Sequence, residues 1–148
     1  MSTKNLILTG LAIVLAGCGA MPRMAAAPVP TKTCTSAADC VVTVVVTVCS
    51  PGGAHVEPDI IGLKRGTANI PITWKIATTL PGVTFASDGV VFKGPTAGQF
   101  RRLGPTAGNT EFKHVGVNSL PETAYPYEVR LMRGNLECTI VDPYVVNE

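Results

Sequence analysis

The chain has 148 residues, with 12 Lys and Arg against 10 Asp and Glu, a formal net charge of +2, and only 15% of its residues charged. So even a balance lacks the basic stripe that polyanion binding requires, and no nucleic-acid partner is expected. The abundance of Val, Thr, Gly and Pro favours short strands joined by turns.

Met1 to Asn5 carry one positive charge, from Lys4, and no acid. An apolar run of about eleven residues follows from Leu6 to Ala16, within the usual length of a signal-peptide apolar region. A spanning helix needs about twenty residues, so the run is too short to anchor the chain by itself. It ends in Leu15-Ala16-Gly17-Cys18. This ending resembles the lipobox of bacterial lipoproteins. The resemblance implies a signal peptide over residues 1–17, cleavage ahead of Cys18, and acylation of its thiol. It therefore implies export and a membrane partner reached through the lipid anchor. No cofactor is expected beyond that covalent lipid. An ordinary secretory peptide, cut near Ala20 or Ala27, is the rival reading. In the lipoprotein family an Asp after the cysteine favours the inner membrane. Gly19 stands there, so the resemblance points to the outer membrane.

Removing residues 1–17 takes away Lys4 and leaves the mature chain one positive charge from neutral. Residues 18–33 contain Pro22, Pro28 and Pro30 among alanines and read as an extended tether. Residues 34–148, about 115 of them, suffice for one domain with one core.

With Cys18 assigned to lipid, Cys34, Cys40, Cys49 and Cys138 remain, an even set that suits two disulfides in an oxidising compartment. Cys40 to Cys49 reads as one valine-rich strand, whose ends lie roughly 30 Å apart. A disulfide holds its Cα atoms about 4.4–6.8 Å apart, which excludes Cys40–Cys49. Cys34–Cys40 with Cys49–Cys138 is the expected pairing. Cys34–Cys49 with Cys40–Cys138 would force the chain back along its own strand. Zinc is not expected, because paired CxxC spacing is missing. Copper is not expected either, since only His55 and His114 are present and neither follows Cys138.

Strand signals then run to the end. Val42, Val44, Val46 and Val48 share one face, and Ser50-Pro51-Gly52-Gly53 ends the run. A looser stretch follows, with His55 in a loop near Glu57 and Asp59. Ile72, Trp74 and Ile76 alternate with Thr73 and Lys75, which places Trp74 in the core. Asp88-Gly89 between Val83-Thr84-Phe85 and Val90-Val91-Phe92 predicts a tight hairpin. Gly94-Pro-Thr-Ala-Gly98 recurs as Gly104-Pro-Thr-Ala-Gly108, two turns around one short strand. Glu111 to Val117, Tyr125 to Met132 and Leu136 to Val141 supply three more strands. Asp142 ahead of Pro143 is expected to cap a terminal turn. About seven or eight strands at this spacing predict a single all-β antiparallel sandwich. The series Ile72-Thr73-Trp74, Asp88-Gly89-Val90-Val91-Phe92, Tyr125-Pro126-Tyr127 and Asp142-Pro143-Tyr144-Val145 resembles small exported bacterial proteins. Their domains are immunoglobulin-like or cupredoxin-like, and the resemblance implies that fold and no site.

Catalytic signatures are missing: there is no GxSxG, no HExxH and no phosphate-binding loop. No catalytic residue and no metal site is expected, and the protein reads as a non-enzymatic structural or interaction module of the envelope. Its expected partners are an envelope protein or glycan. The alternative is an accessory lipoprotein that recognises envelope glycan or lipid through a cationic patch of Lys93, Arg101, Arg102 and Lys113. His114 is expected to be a core histidine or a solvated one rather than a catalyst.

Overall fold

The computed structural model describes residues 28–148 apart from 39, 51 and 121. The signal peptide, Cys18 and the tether as far as residue 27 lie outside the described residues. The described strands, in chain order, are β1 (Lys32–Cys34), β2 (Val41–Val46), β3 (Ala54–Glu57), β4 (Ile60–Leu63) and β5 (Ile70–Thr78). They continue as β6 (Val83–Phe92), β7 (Phe100–Pro105), β8 (Glu111–Gly116), β9 (Thr123–Arg133) and β10 (Leu136–Asn147), with one 3-10 turn at Ala107–Asn109. One five-stranded sheet has the order β1-β4-β10-β9-β6 and the other β3-β2-β5-β8-β7. Their apolar faces meet in an all-β, two-sheet sandwich.

The expectation of purely antiparallel sheets is corrected. β1 runs parallel to β4, β4 parallel to β10, and β2 parallel to β5. The reason is connectivity. The chain changes sheet between β1 and β2, β3 and β4, β4 and β5, β5 and β6, β6 and β7, and β8 and β9, so these neighbours in sequence cannot close as hairpins. β1, β4 and β10 in one sheet and β2 and β5 in the other then lie beside distant strands running the same way, whereas β6 meets the distant β9 antiparallel. The expected strand number rises to ten, because β1, β3 and β4 come from stretches read as tether or loop. Lys32 and Thr33, placed in the tether, are already paired with Ile61 and Gly62.

The valine run behaves as its alternation predicts, but only for six residues. Val42 and Val44 are 0% exposed and Val46 2%, whereas Val48 is 50% exposed. The strand stops because the Thr47 and Val48 N–H groups both donate to Gly53 O, at 2.9 and 3.1 Å, turning the chain away from the sheet. On β9, Tyr125, Tyr127, Val129 and Leu131 all point into the core, as expected.

Asp88-Gly89 does not make a hairpin. Val83–Phe92 is one strand, and both its halves pair with β9, with a register shift between Phe85 and Val90. The intervening residues bulge out of the ladder instead. Asp88 Oδ2 accepts from Arg130 Nη1 on β9 at 2.6 Å. Gly89 is needed for space: a Cβ there would come within 2.8 Å of Phe112 Cδ2 and 2.9 Å of Phe85 Cβ. Gly89→Ala is therefore expected to cost about 1–3 kcal/mol through overpacking. Asp88→Asn, which weakens an exposed ion pair, should cost less than about 1 kcal/mol. Urea midpoints of the two variants check this ordering.

The internal repeat does form two turns flanking one strand. In both copies the residue after the second glycine donates to the threonine carbonyl, Gln99 to Thr96 and Asn109 to Thr106, each at 2.9 Å. Gly98 and Gly108 take φ of 75° and 82°, the left-handed region in which glycine is free of strain. Asp142 is in a strand rather than a terminal turn. It lies within β10, at a register shift between Val141 and Tyr144. Pro126 and Pro143 there each remove a backbone donor, so a regular ladder cannot pass.

Candidate functional site

Four cysteines fall into two pairs at disulfide distance. Cys34 and Cys40 have Cα atoms 5.0 Å apart, and Cys49 and Cys138 5.1 Å. The first pair ties β1 to the entry of β2. The second joins the turn after β2 to β10, and so links the two sheets covalently.

The cationic residues singled out in the sequence are not brought onto one surface. Arg101 and Arg102 are successive residues of β7 and project to opposite sides. Arg101 lies opposite Val115 on the outer face of its sheet. Arg102 turns to the flank, where its guanidinium sits 5.4 Å from the centre of the Phe112 ring and donates to Ser87 O. Lys113 is on the outer face and shares Glu111 with Lys75, at 3.7 and 2.9 Å. Together the two ammonium groups hold the Glu111 carboxyl below its ordinary range, chiefly through the Lys75 hydrogen bond. Lys93 follows β6, in the other sheet, where its N–H donates to Pro126 O at 2.8 Å.

His55 is not in a loop but on the edge strand β3, its Nε2 3.0 Å from Glu57 Oε1 with both side chains exposed. Asp59, nearby in sequence, accepts instead from Thr31 Oγ1 at 3.5 Å. Among the described residues no group of three or more His, Cys, Asp or Glu is placed to hold a metal ion.

The most concentrated chemistry lies between the sheets. Trp74 on β5, His114 on β8 and Tyr127 on β9 are 0%, 5% and 0% exposed. The Trp74 ring centre lies 5.7 Å from that of His114 and 5.4 Å from that of Tyr127, both edge to face. Phe92 meets His114 at 5.3 Å and stacks on Phe100 at 3.8 Å. Alternation along β8 sends His114 inward with Phe112, which settles the two orientations left open by the sequence. The polar atoms Trp74 Nε1, His114 Nδ1 and Tyr127 OH have no hydrogen-bond partner among the described residues. Burial raises the Tyr127 phenol above its ordinary range.

Burial, with the Arg102 charge adding to it, lowers the His114 pKa from 6.5 to about 4. Between those values the unfolded chain binds a proton that the folded chain refuses. The stabilisation is complete above about pH 6.5 and is lost as the pH falls towards 4, by about 3 kcal/mol in all. His114→Phe is expected to flatten that part of the stability–pH curve, as followed by urea unfolding at several pH values. An unchanged slope would remove His114 as its cause.

A second polar feature escaped the sequence. Gln99, 2% exposed, takes its Oε1 to the N–H groups of Ser119 and Leu120 at 2.8 and 3.2 Å and to Asn147 Nδ2 at 3.1 Å. Its Nε2 donates to Ser119 Oγ at 2.6 Å. Asn118 Nδ2 donates to the carbonyls of Lys64 and Thr67 at 2.7 and 3.2 Å. These amides tie the β8–β9 connection to the end of β10 and the β4–β5 loop. They are a brace, because every contact is internal. The one local signal was a glutamine between a turn glycine and a strand phenylalanine, which does not distinguish a buried amide from an exposed one.

No protein-family model matches the chain, and no curated protein matches it.

Proposed function

We propose that the chain is an exported bacterial lipoprotein, held on a membrane through acyl chains on Cys18, whose sandwich is a non-enzymatic structural or interaction module of the envelope. The outer membrane is its proposed location, from Gly19 after the cysteine. Its domain is proposed to be of the immunoglobulin-like or cupredoxin-like kind. The observation that carries the reading is the use of the cysteines. Four of the five pair at disulfide distance within the sandwich, which suits an oxidising compartment, and the fifth is the one in Leu15-Ala16-Gly17-Cys18. Two or three acyl chains, at about 0.8 kcal/mol per buried methylene, give essentially permanent attachment.

The sheet edges support a module that presents surface without aggregating. β7 carries two arginines and a bulge, β6 is interrupted at Asp88, and β1 and β3 are only 3 and 4 residues long. Such features discourage unintended strand addition, which the Val41–Val46 run would otherwise invite.

Intact mass spectrometry of the protein from its native membrane, with and without reductant and beside Cys18→Ala, tests the proposal. The expected chain starts at Cys18, is heavier by its acyl groups, and is lighter by the four hydrogens that two disulfides remove. A soluble, unacylated chain overturns the anchor. Free thiols at Cys34, Cys40, Cys49 and Cys138 overturn the oxidising compartment.

A further inference from the structure

We propose that the flank where β6 meets β7 is an acid-released latch, with His114 as its trigger and Arg102, Phe92 and Phe100 as its fastenings. β6 and β7 are the last strands of opposite sheets, so no backbone ladder joins them across this flank. Side chains hold it shut instead. Phe92 of β6 stacks on Phe100 of β7, with ring centres 3.8 Å apart and planes 9° from parallel. Arg102 of β7 lies over Phe112 and donates to Ser87 O in the β6 bulge.

His114 stands directly behind these fastenings. It is the register partner of Arg102 in the β7–β8 ladder. Its ring touches Phe92 at 5.3 Å and Phe112 at 5.5 Å, the two rings on which the latch is built. Protonation would place a cation among those rings, with Nδ1–H lacking an acceptor among the described residues. Among the described residues no carboxylate is paired with it. On its own strand, Glu111 is on the outer face with Lys75 of β5 and Lys113. On β6, Asp88 is held by Arg130, and on β9 Glu128 is held by the same arginine. The β9 residue inside is the uncharged Tyr127. The charge facing His114 is Arg102, of the same sign, so the cost is relieved by moving β7 away.

β7 is the strand to yield. It is an edge strand, paired only with β8, and its ladder is already broken between Arg102 and Gly104. Local opening of such a strand costs less than global unfolding. Release would bare the β8 edge and the Phe92 and Phe112 rings. The inference stands on the folded domain and does not depend on the lipid anchor.

Hydrogen exchange of the full chain at pH 7 and pH 4.5, corrected for intrinsic rates, is the test. Amides of β7 and of the Ser87–Gly89 bulge are expected to lose tenfold or more of their protection at the lower pH, while β9 and β10 keep theirs. His114→Phe should hold β7 protected at both. Should that variant fail to fold, an NMR titration of His114 in the unaltered protein serves, its midpoint expected to coincide with the loss of β7 protection. Protection unchanged with pH overturns the latch. So does a loss shared equally by β7, β9 and β10, or a His114 that titrates while β7 stays closed.

Discussion

Cys49→Ala with Cys138→Ala is expected to lower the unfolding free energy by about 4–5 kcal/mol, about twice the loss for Cys34→Ala with Cys40→Ala. The reasoning is chain entropy in the unfolded state, where a cross-link removes more freedom the longer the loop it closes. The two bridges span sequence separations of 89 and 6 residues. On the loop-closure relation these correspond to about 4.6 and about 2 kcal/mol. The long bridge has a native-state role as well, since it pins the turn after β2, in one sheet, to β10 in the other. Cys138 is 2% exposed, and alanine avoids leaving a buried hydroxyl there. Urea unfolding of both double variants under non-reducing conditions gives the comparison. Equal losses, or a larger loss for the short loop, would show that strain or residual unfolded structure outweighs loop entropy.

Trp74→Ala is the second large effect, at about 3–5 kcal/mol. The side chain is fully buried at the middle of β5, between β2 and β8, and it faces the opposite sheet. It contacts Tyr127 and His114, and Phe92 at 6.5 Å. Truncation leaves an indole-sized cavity at the point where the sheets meet, and neighbours held in two ladders cannot collapse into it. Trp74→Phe should cost less, below about 2 kcal/mol, because it keeps an aromatic ring and removes an N–H with no acceptor among the described residues. Far-UV circular dichroism against urea reports both variants without needing tryptophan fluorescence. A Phe variant as damaged as the Ala variant would mean that the indole nitrogen matters more than its volume.

The strands with one buried face were legible in the sequence because their period of two is written in single residues. Val42-Val44-Val46, Ile72-Trp74 and Tyr125-Tyr127-Val129-Leu131 all lie where alternation puts them. β3 and β4 were not: Ala54-His55-Val56-Glu57 alternates for only four residues beside a Gly-Pro-rich turn, and Ile60-Ile61-Gly62-Leu63 is buried without alternation. Asp88-Gly89 misled for a different reason. The same dipeptide suits a two-residue turn or a bulge, and only the pairing of both halves of β6 with β9 selects the bulge. The cationic residues divide between surfaces because adjacency in sequence is opposition in a strand. Arg101 and Arg102 cannot share a face.

What the sequence determined by itself was local: which residues alternate, most of the places where the chain turns, and that the domain is all-β. Tertiary structure decided whatever depends on residues far apart in the chain. It made three strand pairs parallel, set His114 among Trp74, Phe92 and Phe112, and gathered Gln99, Asn118 and Asn147 into one brace. The physical reason is that propensity and periodicity act over a few residues, whereas burial of a polar side chain is fixed by the strand that happens to cross above it.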